Sequence, residues 1–158
     1  TTLAASATCT VVVTYAPSST GASSSQIDVQ YNDGASSQTA SRPVQGTGVT
    51  PGLLTISDGP TYDFGTVAIA SAGEKTFTLT NAGGFATSSL AGVGLSAPFT
   101  FKGGAFPGTG GTCGSSLAPA GTCTVVVRYA PVSTGAHTDT IDVTYNDGVN
   151  SQTSSRDV

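Results

Sequence analysis

The chain has 158 residues, of which 9% are charged, with 21 Gly, 8 Pro, no Met and no Trp. Five basic residues and a net charge of −4 argue against phosphate neutralisation, so nucleic acid is not an expected partner. No apolar run approaches the ~20 residues that cross a bilayer, and no basic-then-apolar leader is present, so no membrane span is expected.

The first predicted elements lie in residues 1–44. "CTVVVTY" (9–15) and "SQIDVQY" (25–31) alternate apolar and polar residues and predict half-buried antiparallel strands. "YNDG" (31–34) predicts a tight hairpin return, because Asn, Asp and Gly tolerate positive φ. A polar third strand follows. Val11, Val13, Tyr15, Ile27, Val29 and Tyr31 fall on one apolar face. Residues 45–50 read as a linker or strand end.

Residues 51–158 continue the rhythm with "GLLTI" (52–56), "YDFGTV" (62–67) and "KTFTLTN" (75–81), whose Phe77 and Leu79 share a face opposite the threonines. "SLAGVGL" (89–95), "FTFKG" (99–103), "CTVVVRYAP" (123–131) and "DTIDVTY" (139–145) are the next candidate strands. The last, "VNSQTSSRDV" (149–158), carries almost no large apolar side chain and suits a sheet edge. No stretch has the spacing of an amphipathic helix. The fold class is therefore all-β, and about seven strands in residues 51–158 have the size of an immunoglobulin-like antiparallel β-sandwich.

Sliding the chain by 114 residues superimposes 1–44 on 115–158 without a gap, with 28 identities in 44 positions. The expected organisation is thus one complete Ig-like repeat, 51–158, preceded by the C-terminal half of another, 1–44. Cys113 and Cys123 are expected to form a disulfide, and Cys9 is the counterpart of Cys123. Metal ligation or redox catalysis is the weaker reading, because the spacing is not C-x-x-C and no His lies nearby. A disulfide places the protein outside a reducing cytosol. The absence of Met points to a mature fragment or a portion of something longer.

No catalytic constellation emerges, no cofactor or metal site is expected, and the protein is not expected to be an enzyme. His137 is the sole histidine, its counterpart is Ser23, and it stands in no recognisable triad. Asp142, Asn146 and Asp147 raise a calcium question, which a hairpin answers without a metal. An isopeptide from Lys75 with Glu74 and Asn81 is disfavoured, since neighbours on a strand face opposite ways. The glycine-rich run 102–114 lacks the ending of a phosphate cradle and reads as a long loop. An exposed Phe106, with Lys102, is its candidate contact.

The segments "YDFGTVAIASAGEKTFTLTNAGG" (62–84), "PFTFKGG" (98–104), "GTCTVVVRYAPVSTGAHTDTIDVTYNDG" (121–148) and "VQGTGV" (44–49) resemble the bacterial choice-of-anchor D repeat. That repeat is similar to the wider ASH/Hydin and PapD-like class of sandwiches. The resemblance implies a secreted or surface-anchored bacterial protein, with Phe64, Val67, Asn81, Tyr129 and Pro131 as scaffold. It implies no catalytic residues. The expected function is a structural extracellular repeat forming a stalk, fibre or surface filament, whose partners are its own adjacent repeats or subunits. An adhesin or carbohydrate-binding module using loop 102–114 on a glycan or cell-surface ligand is the alternative.

The half repeat leaves its apolar face in need of cover, and three arrangements stay open. The missing strands lie upstream in a tandem array, or another subunit donates them head to tail, or residues 1–44 pair with 51–113 as a permuted domain.

Overall fold

The structure is a computed structural model that describes residues 2–158. The chain divides into two compact units, Thr1–Val49 and Thr50–Val158.

The first unit is built on a single hairpin. Strands β1 (Gly21–Asn32) and β2 (Ser37–Gly48) pair antiparallel along their whole length. The return between them follows from "NDG". The Asp33 carboxylate accepts the N–H groups of Ala35 and Ser36, Asn32 accepts that of Gly34, and Gly34 takes a φ of 101°. Such a conformation costs an L residue a steric clash that glycine lacks. Residues 2–20 lead into the hairpin without forming a ladder, so the strand expected over 9–15 is not formed.

The second unit is a two-sheet sandwich. Its strands are β3 (Leu54–Ile56), β4 (Gly73–Asn81), β5 (Thr87–Val93), β6 (Phe99–Phe101), β7 (Ser116–Leu117), β8 (Thr122–Tyr129), β9 (Thr140–Asn146) and β10 (Ser151–Asp157). One sheet has the order β3-β4-β8-β6 and the other β10-β9-β5-β7, with every pairing antiparallel. No helix occurs among the described residues, and so none is long and apolar enough to cross a membrane. The all-β, immunoglobulin-like sandwich is what the alternation implied.

Period-two patterning explains the core. Phe77 and Leu79 on β4, Val125 and Val127 on β8, and Ile141 and Val143 on β9 are fully buried between the sheets, while their neighbours in sequence face outward. Tyr129 stacks on Phe99 with ring centroids 4.6 Å apart and leans on Phe64 at 5.6 Å. The strand expected over 62–67 is not formed. Gly65 takes a φ of 68°, its N–H held by the Asp63 carboxylate, and the segment instead lays Tyr62, Phe64 and Val67 against the core as a loop. β10 lies at a sheet edge. Its lone cation, Arg156, donates from Nε to the Ser57 carbonyl and from Nη1 to that of Pro60, and Nη2 donates to Ile56. A polar edge strand is thereby fastened to the opposite sheet.

Asn81 closes the other end. Fully buried, it accepts from the N–H groups of Leu53 and Gly83 and donates to the carbonyls of Phe85 and Leu117. All of its amide valences are used, so its burial carries no unpaired group.

Candidate functional site

The hairpins of the two units correspond residue for residue. Ile27 faces Arg42 across β1–β2, and Ile141 faces Arg156 across β9–β10; Asp28 faces Ser41 as Asp142 faces Ser155. The side-chain bonds repeat too: Ser41 donates to Asp28 and Ser155 to Asp142, while Gln38 donates to Asp33 and Gln152 to Asp147. The same local sequence has produced the same local structure.

Beyond the hairpin the two units part. In the second unit β8 is flanked by β4 and β6, which supply its ladder on both sides. In the first unit the corresponding residues 8–15 have no flanking strand among the described residues. "TCTVVV" is a strand at 122–127 and unpaired chain at 8–13. Intrinsic preference is identical in both places, so the difference comes from tertiary pairing alone.

Burial follows pairing. Val11 is 57% exposed, Val13 53% and Tyr15 49%, where Val125, Val127 and Tyr129 are 0%, 0% and 8% exposed. Val29 and Tyr31 are also well exposed and Ile27 is half-buried, whereas Val143, Tyr145 and Ile141 are buried. Tyr15 rests against the β2 backbone: a Cβ built on Gly46 would stand 2.8 Å from its ring. Val12, on the opposite side of the segment, is 87% exposed, against 7% for Val126. That second exposed side escaped the sequence reading. Val126 is sheltered by the 102–114 loop, whose Pro107 carbonyl accepts the Val126 N–H, and no counterpart of that loop lies among the described residues of the first unit. Leu3 is exposed where its counterpart Leu117 is buried.

The magnitude is appreciable. Full burial of such side chains is worth 1.5–3 kcal/mol each, so covering the exposed half of five of them would contribute about 4–8 kcal/mol before ordering entropy. Stable folded surfaces seldom leave an apolar patch of this kind uncovered without a use for it.

The polar counterparts tell the same story. Arg42 makes none of the carbonyl contacts that Arg156 makes, among the described residues. Cys123 is joined to Cys113 by a disulfide with Cα atoms 4.8 Å apart, while Cys9 is a free, exposed thiol.

The 102–114 loop differs from its expected form. Phe106 is not an exposed anchor: it is partly buried and meets Phe101 edge-on, with centroids 5.6 Å apart, packed against the core. The loop lies along β8, taking the Lys102 N–H to the Val126 carbonyl and the Thr112 and Cys113 N–H groups to that of Thr124. Lys102 forms a surface ion pair with Glu74, Nζ to Oε2 2.7 Å. Both partners are substantially exposed, so the pair contributes little to stability. The glycines hide a folded-back flap from any periodicity argument.

The remaining chemistry-bearing residues are engaged structurally. His137 meets the Tyr129 hydroxyl at Nδ1 (2.9 Å) and Ser133 Oγ at Nε2 (3.1 Å). Asp147 accepts the N–H groups of Val149 and Asn150 and the Gln152 amide, and these bonds, the Asn150 one foremost, hold its pKa below 3.8. Lys75 bonds Asp58 at 2.8 Å and lies over the Tyr62 ring. Among the described residues no group of three or more His, Cys, Asp or Glu side chains is placed to hold a metal ion.

Residues 56–156 match the HYDIN/CFA65/VesB-like, Ig-like domain family. Among solved structures the chain is similar to the ASH / PapD-like domain of human CEP192 (PapD-like domain 7), at 18% identity and a TM-score of 0.47, covering 69% of this chain and 82% of that one. It is also similar to a protein of unknown function from Porphyromonas gingivalis W83, at 10% identity and a TM-score of 0.47, covering 91% and 69% respectively. No curated protein matches the sequence.

Proposed function

The chain belongs to the HYDIN/CFA65/VesB-like, Ig-like domain family, and from that premise we propose that it is a structural repeat of an extracellular bacterial stalk, fibre or surface filament, assembled by stacking Ig-like domains. Sandwiches of this kind are generally non-enzymatic modules of architecture and protein interaction. One observation carries the finer reading: a sequence that is buried in one unit recurs, with its hairpin register intact, as an uncovered face in the other. A protein whose units stack in series has neighbours to meet such a face. The Cys113–Cys123 disulfide supports an oxidising location outside the cytosol, and the choice-of-anchor D resemblance supports a bacterial surface. The adhesin alternative loses its anchor, because Phe106 is packed into its own domain.

Negative-stain imaging of the native material tests the proposal. Extended rods or fibres with a repeat along the axis are expected. Compact particles the size of a 15.5 kDa monomer, with all cysteines reduced, would end it.

A further inference from the structure

We propose that the uncovered face of the first unit is a docking site for the front half of another repeat, a segment of the type of residues 50–114, which adds its β4-like strand antiparallel to residues 8–15. This deepens the stacking reading and rests on it for the identity of the neighbour.

The occupant is read from the second unit. There, the counterparts of the first unit's residues, β8, β9 and β10 among them, share one core with strands β3 to β6, which residues 50–114 supply. The register transfers directly. Phe77 faces Val125 and Leu79 faces Cys123 across β4–β8, so a β4-like strand would bring its phenylalanine opposite Val11 and its leucine opposite Cys9. Likewise Phe99 faces Tyr129 across β6–β8, which assigns a phenylalanine to Tyr15. The added strand would supply main-chain bonds to a free edge while alternate side chains fill the apolar face. A second copy of this chain is a poor occupant, since its own residues 50–114 already cover its residues 115–158 and moving them would uncover an equal face.

Cys9 supplies an independent geometric mark. In the complete unit the equivalent Cys123 pairs with the cysteine ten positions earlier, and a docked front half would carry that cysteine to Cys9. Two protein thiols and one glutathione disulfide would give one protein disulfide and two glutathione thiols, through a mixed disulfide at one cysteine that the other displaces.

The test is a chain carrying a copy of residues 50–114 fused directly ahead of Thr1, so that Gly114 of the copy precedes Thr1 as Gly114 precedes Ser115. Amide hydrogen exchange is read in the original and extended chains, with the amides of 125–127 as the internal control for folding. The expected result is slowing of exchange at 11–13 on the order of a thousandfold, the factor expected when a free segment joins a cooperative domain. In a glutathione redox buffer, peptide mapping should show Cys9 linked to the copied Cys113. A second extended chain, with Phe77→Glu and Leu79→Glu in the added copy alone, should lose both effects. Rapid exchange at 11–13 and a free Cys9 in the extended chain, with 125–127 still protected, would overturn the proposal. Protection of 11–13 in the original chain that grows with its concentration would overturn it in favour of a second copy. Neither readout depends on whether the native material forms filaments, so this inference and the stacking proposal fail separately.

Discussion

Val127 and Val13 are the same residue in the same local sequence, one fully buried and the other 53% exposed, and truncating each in turn separates packing from propensity. Val127→Ala removes two methyl-sized groups from a filled space between Phe101 and the facing sheet. The transfer loss is about 0.8 kcal/mol per group, and the cavity left behind raises the total to about 2.5 kcal/mol. Val13→Ala removes the same atoms from a site that water already reaches, with no cavity to create, so its cost should stay below about 0.5 kcal/mol. Urea unfolding followed by tyrosine fluorescence reads the second unit's transition, and the shift for Val127→Ala corresponds to a fall in Tm of about 10 °C. Val13→Ala should leave that transition in place. Equal costs at the two positions would refute the reasoning, because they would mean that Val13 is as well packed as Val127.

Other outcomes follow from particular contacts. Asn81→Leu strands the Leu53 and Gly83 N–H groups and the Phe85 and Leu117 carbonyls, and should cost about 3 kcal/mol or more in urea unfolding. The Asp147 pKa is depressed in the folded state, so its contribution is complete above 3.8 and is lost as pH falls through the lower folded value. Asp147→Asn should therefore flatten the stability profile below about pH 4 and leave the neutral region's slope unchanged, as acid titration of unfolding will show. Replacing Cys113 and Cys123 together by Ser should lower the unfolding free energy by roughly 3 kcal/mol, the entropy of a short closed loop, in the same urea assay.

What could be read in advance was whatever depends on neighbours in sequence. Alternation marked β4, β8 and β9 with their inward residues, and "YNDG" marked both hairpins, because side-chain direction and turn chemistry are local properties. The pairing of strands is not. Residues 8–15 carry the alternation of 122–129 and form no strand, since a ladder needs a partner that the alternation cannot guarantee. Residues 62–67 alternate as well, yet Asp63 and Gly65 bend the chain into a loop that packs Tyr62 and Phe64 against the core, with one bridging bond from the Tyr62 N–H to the Asp157 carbonyl. β7 is too short to produce a pattern. Phe106 looked exposed because glycines surround it, whereas its position depends on backbone bonds to β8. For the candidate site, alternation drew attention to Val11, Val13, Tyr15, Ile27, Val29 and Tyr31, of which all but Ile27 are well exposed; the exposure of Val12 was not legible, because the shelter of its counterpart Val126 in the second unit comes from a loop distant in sequence. A single arginine in an otherwise polar strand was the one available sign of the clasp made by Arg156.

Site-resolved amide hydrogen exchange of the 158-residue chain at low concentration tests the central claim most directly, since Val11–Val13 and Val125–Val127 are compared within one molecule. Rapid exchange at the first trio beside strong protection at the second is the predicted result. Equal protection of both in a dilute monomer would show the first unit already covered, and would contradict the account.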